Sequence, residues 1–252
     1  MKAIILAAGM GTRLQPLTYS TPKCLVKVNG KPILENALEH LNGNGIKTAI
    51  LVTGHLGDKV REYLGTRFKD TKLIYVENQI YDKTNNIYSL WLAKEYLIDD
   101  LLLLEDDIFF ETEVIDRVCK HNYPNIMVVD DYQNFMNGTV VMADRGIVTE
   151  MILKKDQHPD KNYYHGLKTV NIYRFAKEFM DTYFIPGLES YIDADNLNEY
   201  YELAISNIVK SAAVPLGALS IAGLKWFEID TLEDLKRAEE LFRIPAGSLE
   251  DK

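Results

Sequence analysis

Short apolar runs alternate with amphipathic stretches through the first half of the chain. The apolar runs predict strands at residues 3–8, 48–52, 72–76 and 101–104. Between them, apolar positions spaced three or four residues apart predict helices at residues 32–41, 59–64 and 87–97. Strands that alternate with helices indicate a mostly parallel sheet with helices on both faces. The pattern therefore predicts a Rossmann-like α/β fold.

The pattern changes near residue 125, where the apolar stretches shorten and turn residues become frequent. Further strands are predicted at residues 125–130, 138–143, 146–153 and 169–173, and helices at residues 175–183 and 199–210. A last strand at 225–229 precedes a helix at 232–242. We expect one domain over residues 1–252, with a first part at about 1–124, a mixed β/α lobe at about 125–222 and a returning strand and helix at 223–252. Residues 156–162 (DQHPDKN) are the expected mobile loop.

Charge and composition narrow the classes of partner. The net charge of −9 argues against a nucleic acid or an anionic membrane surface as partner. No stretch has the roughly 18 apolar residues that cross a bilayer, so we expect a soluble cytoplasmic protein. The two cysteines, Cys24 and Cys119, have no Cys or His at metal-ligand spacing, and we expect reduced thiols rather than a disulfide.

The first predicted strand leads into a loop that contains Gly9 and Gly11. A dinucleotide-binding loop would need a third glycine and a later acidic residue, and a Walker loop would need Gly-Lys-Ser/Thr; both are missing. Two glycines allow a tight turn that presents backbone N–H groups to an anion. Arg13 and Lys23 add two cations, which suits a triphosphate. The alternative is an ordinary turn with two surface charges.

Carboxylates follow two of the predicted strands. The stretch LLLLEDDIFF places Glu105, Asp106 and Asp107 after a buried strand, and WFEIDTLEDL places Glu228 and Asp230 after another. Ligands of open α/β sheets bind at the carboxyl ends of strands, and Mg²⁺ prefers oxygen ligands that it shares with substrate phosphates. We therefore expect a Mg²⁺ site. A solvated turn and a helix cap are the alternatives for these two groups.

The string LAAGMGTRLQPLTYSTPK resembles the signature of nucleotidyltransferases that activate sugar phosphates and related small phosphates. The resemblance implies a Rossmann-like fold and attack of a phosphate oxygen on the α-phosphorus of a nucleotide, with pyrophosphate as the leaving group. It implies that Arg13 contacts the β- and γ-phosphates and that Lys23 contacts the α-phosphate, both as catalytic residues. It further implies nucleotide contacts at Leu6, Ala7, Ala8, Gly9, Gly11, Thr12, Glu105 and Asp106.

The same resemblance assigns the metal to Asp107 and Asp230, with Glu228 close to metal-bound water. The acidic triplet at 105–107 and the stretch NNIYSL are similar to the cytidylyltransferases of the family rather than to its sugar-phosphate enzymes. This implies CTP as the nucleotide, with Asn85, Asn86 and Ser89 near the base or the acceptor. From the residues alone, these three polar side chains could instead cap a helix.

The second half carries the features that concern the acceptor. The stretches MNGTVV, LKTVNIYRF and NEYYELAI resemble the branch that transfers CMP to 2-aminoethylphosphonate or a similar compound. We expect Lys168 and Asn171 to bind the phosphonate or phosphate, and Tyr200 to contribute from a tyrosine-rich lobe by cation–π contact. A solvated lysine on an edge strand is the alternative for Lys168.

These features predict an enzyme that transfers CMP from CTP to a small phosphonate or phosphate monoester and releases pyrophosphate. The acceptor stays open between 2-aminoethylphosphonate, phosphocholine and a phospho-amino acid such as phosphoglutamine. Residues 1–124 would then bind the nucleotide, and the lobe at 125–222 would bind the acceptor. A sugar-1-phosphate nucleotidylyltransferase and a non-catalytic nucleotide sensor are the competing functions. A homodimer is left open.

Overall fold

A computed structural model describes residues 1–133, 135–158, 163 and 165–243. The strands of this part of the chain are β1 (Lys2–Ala7), β2 (Lys27–Val28), β3 (Lys31–Pro32), β4 (Thr48–Thr53), β5 (Arg67–Phe68), β6 (Thr71–Glu77), β7 (Leu101–Glu105), β8 (Ile108–Phe110), β9 (Ile126–Asp131), β10 (Val140–Asp144), β11 (Ile147–Ile152), β12 (Leu167–Phe175), β13 (Gly217–Ser220) and β14 (Trp226–Glu228). Its α-helices are α1 (Ile33–Gly43), α2 (Gly57–Leu64), α3 (Asn86–Leu92), α4 (Thr112–Lys120), α5 (Lys177–Phe179), α6 (Ile185–Asp193), α7 (Glu202–Ser211) and α8 (Leu232–Leu241).

Ten of the strands form one sheet in the order β10-β11-β13-β9-β12-β7-β1-β4-β6-β5. Strands β7, β1, β4 and β6 are parallel, as the alternation of strands and helices predicts. Strand β12 runs antiparallel between β7 and β9, so the second half of the chain extends the same sheet. The predicted α/β class is confirmed, and the complete sheet is mixed.

The sheet is buried on both faces. Along β1, Ala3, Ile5 and Ala7 pack into one apolar cluster with α1, α2 and α4. Ile4 and Leu6 pack on the other face with α3, α6 and α7. This alternation explains why β1 has no polar position after Lys2.

A third apolar cluster joins the two ends of the chain. It contains Leu14 from the loop after β1, Phe109 from β8, Ile229 from the segment after β14 and Ala238 from α8. Strands β8 and β14 pair antiparallel, with Phe109 opposite Phe227. The acidic residues that precede β8 and those at the end of β14 are therefore held beside the loop after β1.

Several boundaries differ from the sequence prediction. The helix expected at 175–183 is wrong at its start, because β12 continues to Phe175 and pairs there with Leu101. Helix α5 then leads through a π-turn at Met180–Phe184 into α6. Strands β2, β3, β5, β8 and β13 and helices α4 and α6 were not predicted. Of the expected mobile loop, residues 159–162 lie outside the described residues. Within the described ranges, none of the helices has the length and apolar character to cross a bilayer.

Candidate active site

A cleft of about 410 Å³ opens at the carboxyl ends of β1 and β7, where Leu6 pairs with Glu105. Most of the residues predicted from the sequence line this one cleft: Leu6, Ala8, Gly9, Gly11, Thr12, Arg13, Lys23, Asn85, Asn86, Ser89, Glu105, Asp106, Asp107, Asn171, Tyr200, Glu228 and Asp230. Two do not: Ala7 faces an apolar cluster, and Lys168 is buried behind the cleft wall. The fold therefore brings residues from distant parts of the chain to one surface.

The loop after β1 has a conformation that requires glycine at position 11. Gly11 has a φ of +61°, and a Cβ there would lie 3.0 Å from Thr18 Cγ2 and 3.1 Å from Lys23 Cβ. The Thr18 hydroxyl donates a hydrogen bond to the Gly11 carbonyl at 2.7 Å. Because a side chain at position 11 would crowd the Lys23 stem, the tight turn and the position of the lysine depend on each other.

Lys23 lies at the floor of the cleft between two carboxylates. Its Nζ donates hydrogen bonds of 2.8 Å to Asp107 Oδ2 and 2.8 Å to Asp230 Oδ1. Arg13 Nη2 also lies 2.8 Å from Asp230 Oδ1. Burial lowers the pKa of Lys23, but Asp107 and Asp230 outweigh this effect and the pKa is raised. Both predicted cations and both predicted metal ligands thus form one charge cluster.

The remaining carboxylates of the cleft are less well compensated. Burial raises the pKa of Asp106 to about 7, with Lys23 opposing, and it raises the pKa of Glu228 to about 7, with Lys168 opposing. Burial also raises the pKa of Glu105 well above its usual value. Burial also acts to raise the pKa of Asp230, but Lys23 and Arg13 outweigh this effect and hold the pKa below its usual value. The cleft therefore has more acidic groups than its own cations neutralise.

The carboxylates have free oxygens that fit a divalent cation. Asp107 Oδ1 and Asp106 Oδ2 are buried and accept no hydrogen bond from the described residues. Oxygens of this kind are ligands for Mg²⁺, and their burial without a partner is otherwise unfavourable. Within the described ranges, no three Asp, Glu, His or Cys side chains are arranged to hold a metal unaided. A metal bound here would complete its shell with water and substrate phosphates.

The polar residues at the start of α3 are partly engaged in structure. Asn85 is the N-cap, and its side chain accepts a 2.8 Å hydrogen bond from the Asn86 backbone. Asn86 Nδ2 donates to Glu105 Oε1 at 3.1 Å, and Ser89 Oγ accepts from Asn78 Nδ2 at 3.0 Å. The capping alternative is therefore correct for Asn85. All three line the cleft, and their contact with a base stays a prediction.

Lys168 is neither a cleft residue nor a solvated lysine. It is 1% exposed on β12, which lies inside the sheet between β9 and β7, so the edge-strand alternative is wrong. Its Nζ lies 3.2 Å from Glu228 Oε2 and donates to the Thr169 carbonyl at 2.7 Å. This places Lys168 as the counter-ion of a carboxylate in the cleft wall.

Several residues that line the cleft were not predicted from the sequence: Tyr81, Thr84, Asn137, Gly138, Thr139, Leu153, Lys154, Lys155 and Glu202. The adjacent Lys154 and Lys155 follow the end of β11, and a basic pair at a strand end is a signal that could have identified them. Glu202 gave no such signal, because it resembles an ordinary acidic residue in the first turn of α7.

A family model described as "Nucleotidyl transferase" matches residues 2–242. CMP-5′-(3-aminopropyl)phosphonate synthase of Streptomyces rubellomurinus is 34% identical over 97% of this chain, which spans 39% of that relative's length. Choline-phosphate cytidylyltransferase of Streptococcus pneumoniae is 31% identical, over 96% of this chain and 99% of the relative. CTP:phosphoglutamine cytidylyltransferase of Campylobacter jejuni is 28% identical, over 94% and 98%.

The solved structures agree with these relatives. The structure of CTP:phosphocholine cytidylyltransferase from Streptococcus pneumoniae superposes with a TM-score of 0.77 at 25% identity, and covers 96% of this chain and 99% of its own. The resemblance noted in the sequence is therefore confirmed over nearly the whole chain.

Proposed function

This chain belongs to the nucleotidyl transferase family, and we propose that it transfers CMP from CTP to a small phosphonate or phosphate monoester. An oxygen of the acceptor forms a bond to the α-phosphorus, the bond from that phosphorus to the bridging β-phosphate oxygen breaks, and pyrophosphate leaves. The acceptor oxygen is anionic near neutral pH, so the reaction requires positioning and charge neutralisation rather than a strong base.

The observation that carries this proposal is the cluster of Lys23, Asp107 and Asp230 beside the glycine loop. The two carboxylates lie on either side of one lysine Nζ, each at 2.8 Å, and Arg13 closes the cluster. Phosphoryl transfer is catalysed by this combination of cations, backbone amides and a carboxylate-held metal. A nucleotide sensor has no need for paired carboxylates beside a buried lysine.

Each side chain has a role that follows from its position. Lys23 neutralises charge that develops on the α-phosphate, and Arg13 holds the β- and γ-phosphates. Asp107 and Asp230 would hold Mg²⁺, which supplies charge neutralisation between the phosphates when bound. Leu6, Ala8 and the amides from Gly9 to Thr12 form the surface for the nucleotide.

CTP is the nucleotide that the relatives favour, because the two whole-length relatives are named as cytidylyltransferases. The acceptors in the three relatives' names are an aminopropylphosphonate, choline phosphate and phosphoglutamine, each a small phosphorus compound. We therefore propose an acceptor of this size, bound on the side of the cleft formed by Thr139, Asn171 and Glu202.

A pyrophosphate-release assay tests the proposal. The protein would be incubated with Mg²⁺, one of CTP, UTP, dTTP or GTP, and one acceptor from a panel of aminoalkylphosphonates, phosphocholine, phospho-amino acids and sugar 1-phosphates. We expect release with CTP and a small acceptor, and release that is slower by about 100-fold or more from Asp107→Asn. Release with UTP or dTTP and a sugar 1-phosphate would establish the sugar-phosphate alternative instead. The absence of release with CTP and every acceptor would overturn the proposal.

A further inference from the structure

Asn171 presents an unpaired hydrogen-bond acceptor in the wall of the cleft. Its φ is +59°, and the register of β12 against β9 shifts between Thr169 and Tyr173, so Asn171 lies in a bulge. The side chain is 7% exposed and lines the cleft. Its Nδ2 donates to Glu228 Oε1 at 3.3 Å, whereas its Oδ1 accepts no hydrogen bond from the described residues.

This arrangement changes what Asn171 can bind. The Nδ2 group, which could have donated to a phosphonate oxygen, is directed to Glu228. The free atom is a carbonyl oxygen, which repels a phosphonate oxygen and requires a donor. A ligand that meets Asn171 must therefore bring an N–H or O–H group to this point.

Two carboxylates line the same cleft as Asn171, the buried Glu202 and the half-buried Glu228. Glu228 accepts a hydrogen bond from Asn171 Nδ2. Glu202 accepts a 2.7 Å hydrogen bond from the hydroxyl of Thr139. The Thr139 carbonyl in turn accepts a hydrogen bond from the backbone N–H of Thr169 on β12. Lys168 forms an ion pair with Glu228. Burial raises the pKa of Glu202, and the Thr139 hydroxyl and Lys168 act in the opposite direction. One lysine therefore faces two carboxylates, and this part of the wall has more acidic than basic groups.

The other lysines of the cleft do not remove this excess. Lys23 already donates hydrogen bonds to Asp107 and Asp230. Lys154 and Lys155 are exposed at the rim, and Lys155 pairs with Glu199 at 2.9 Å. A buried carboxylate normally has a cation or several donors as partners. From the part of the chain that the structure describes, Glu202 accepts one hydrogen bond, from the neutral hydroxyl of Thr139.

We infer that the wall formed by Asn171, Glu202 and Glu228 binds a primary ammonium group, and that the acceptor is a short phosphonate or phosphate ester with a primary amine. This inference rests on the proposed function. A primary ammonium has three N–H donors and a positive charge. One donor satisfies Asn171 Oδ1, and the others with the charge complement the two carboxylates.

Competing acceptor groups match this wall less well. A quaternary ammonium has no N–H donor and is bound by aromatic rings. Among the described residues that line the cleft, the aromatic ones are Tyr81 and Tyr200, and the Tyr81 ring already packs against His55 with centroids 5.8 Å apart. A hydroxyl group can donate to Asn171, but it has one donor and no charge to offset the carboxylates.

Acceptors that differ only in their amine, hydroxyl or trimethylammonium group test the preference for a primary amine. We would titrate the full-length protein in Mg²⁺ buffer, in the absence of nucleotide, with 2-aminoethylphosphonate, 2-hydroxyethylphosphonate and the N-trimethylated phosphonate, and follow heat or ligand-observed NMR. The same compounds would be compared as acceptors with CTP by kcat/KM. We expect the primary amine to bind about tenfold more tightly than either analogue, as expected for one charge-assisted group.

Substitutions in the wall test whether its residues cause the preference for the primary amine. Glu202→Gln keeps the size and the hydrogen bond from Thr139 but removes the charge, and we expect it to lose most of the preference for the amine over the hydroxyl compound. Asn171→Leu is expected to lose it as well. Glu178→Gln, on the exposed face of α5 outside the cleft, is the matched control and should retain it.

The outcomes separate the two proposals. Equal binding of the amine and hydroxyl compounds, or tighter binding of the trimethylated one, would overturn the ammonium site even if CTP turnover is observed. Tighter amine binding that Glu202→Gln abolishes would support the site even if no pyrophosphate is released, in which case the proposed function alone fails. A preference for the amine that persists in both Glu202→Gln and Asn171→Leu would also overturn the ammonium site.

Discussion

Lys23 and Asp107, which are 84 residues apart in the chain, form an ion pair at the floor of the cleft with Nζ 2.8 Å from Oδ2. Asp230 binds the same Nζ at 2.8 Å. The lysine therefore neutralises two carboxylates that are also the proposed metal ligands. Binding of a metal and release of the lysine to a phosphate are consequently expected to be coupled.

Asp107→Asn and Asp230→Asn remove one charge each without changing side-chain size. We expect each to lower kcat by about 100-fold or more, because the substitution weakens metal binding. Because a buried partner of Lys23 is also lost, Asp107→Asn should reduce the free energy of unfolding by about 1–3 kcal/mol. Steady-state kinetics, urea unfolding and circular dichroism check both effects, with the exposed Asp131→Asn as control. Full activity in either variant would refute the metal assignment.

Lys23→Met should have opposite effects on turnover and on metal binding. The variant keeps the hydrocarbon stem but leaves Asp107 and Asp230 without their shared cation. We expect kcat/KM to fall by about 100-fold or more, whereas affinity for Mn²⁺ alone should rise by about tenfold. Electron paramagnetic resonance of free Mn²⁺ measures the affinity, and the exposed Lys72→Met is the matched control. Unchanged Mn²⁺ affinity would show that Lys23 does not compete with the metal.

The parts of this site that sequence predicts are those with strong local signals. The apolar run Leu101–Leu104 predicts a buried strand, and the acidic residues after it must then lie at the carboxyl edge of the sheet. The glycine loop predicts a turn at Gly11, which the structure has. Local pattern was therefore sufficient to locate Asp107 beside the loop, although not to show that Lys23 contacts it.

The remaining features depend on contacts between distant residues. Strand β8 has three residues, which is too short for a periodic pattern, and it pairs with β14, the strand predicted at 225–229. Lys168 could not be placed, because its burial depends on β12 lying inside the sheet and on Glu228 as partner. Glu202 is buried, and it accepts a hydrogen bond from Thr139, which is 63 residues away in the chain.

The stability of the ligand-free protein should fall as the pH rises from about 5 to 7. Burial raises the pKa of Asp106 and of Glu228 to about 7 in the folded state, from 3.8 and 4.5. In that interval the folded state binds more protons than the unfolded state, so raising the pH favours unfolding. We expect a net loss of about 1 kcal/mol per pH unit. Burial lowers the pKa of His40, which acts in the opposite direction.

Urea unfolding at pH 5, 6, 7 and 8 tests this dependence. Glu228→Gln should flatten the profile, and Glu178→Gln should leave it unchanged. Mg²⁺ with nucleotide should also reduce the loss at pH 7, because a metal binds the deprotonated carboxylates. A stability that rises steadily from pH 5 to 7 in the ligand-free protein would contradict the assigned pKa values.

Arg174 is expected to stabilise the fold around the end of α4. Its guanidinium group, on β12, donates to four backbone carbonyls at and beyond the end of α4, those of Val118, Cys119, His121 and Tyr123. Helix ends leave such carbonyls unpaired, so Arg174→Met should reduce the free energy of unfolding by about 2–3 kcal/mol. Arg117→Met, at a partly exposed position of α4 where the side chain pairs with Glu113 of the same helix, should change the free energy of unfolding by less than about 0.5 kcal/mol. Urea unfolding measures both variants. If Arg174→Met reduces the free energy of unfolding no more than Arg117→Met does, water replaces the guanidinium group at these carbonyls without cost.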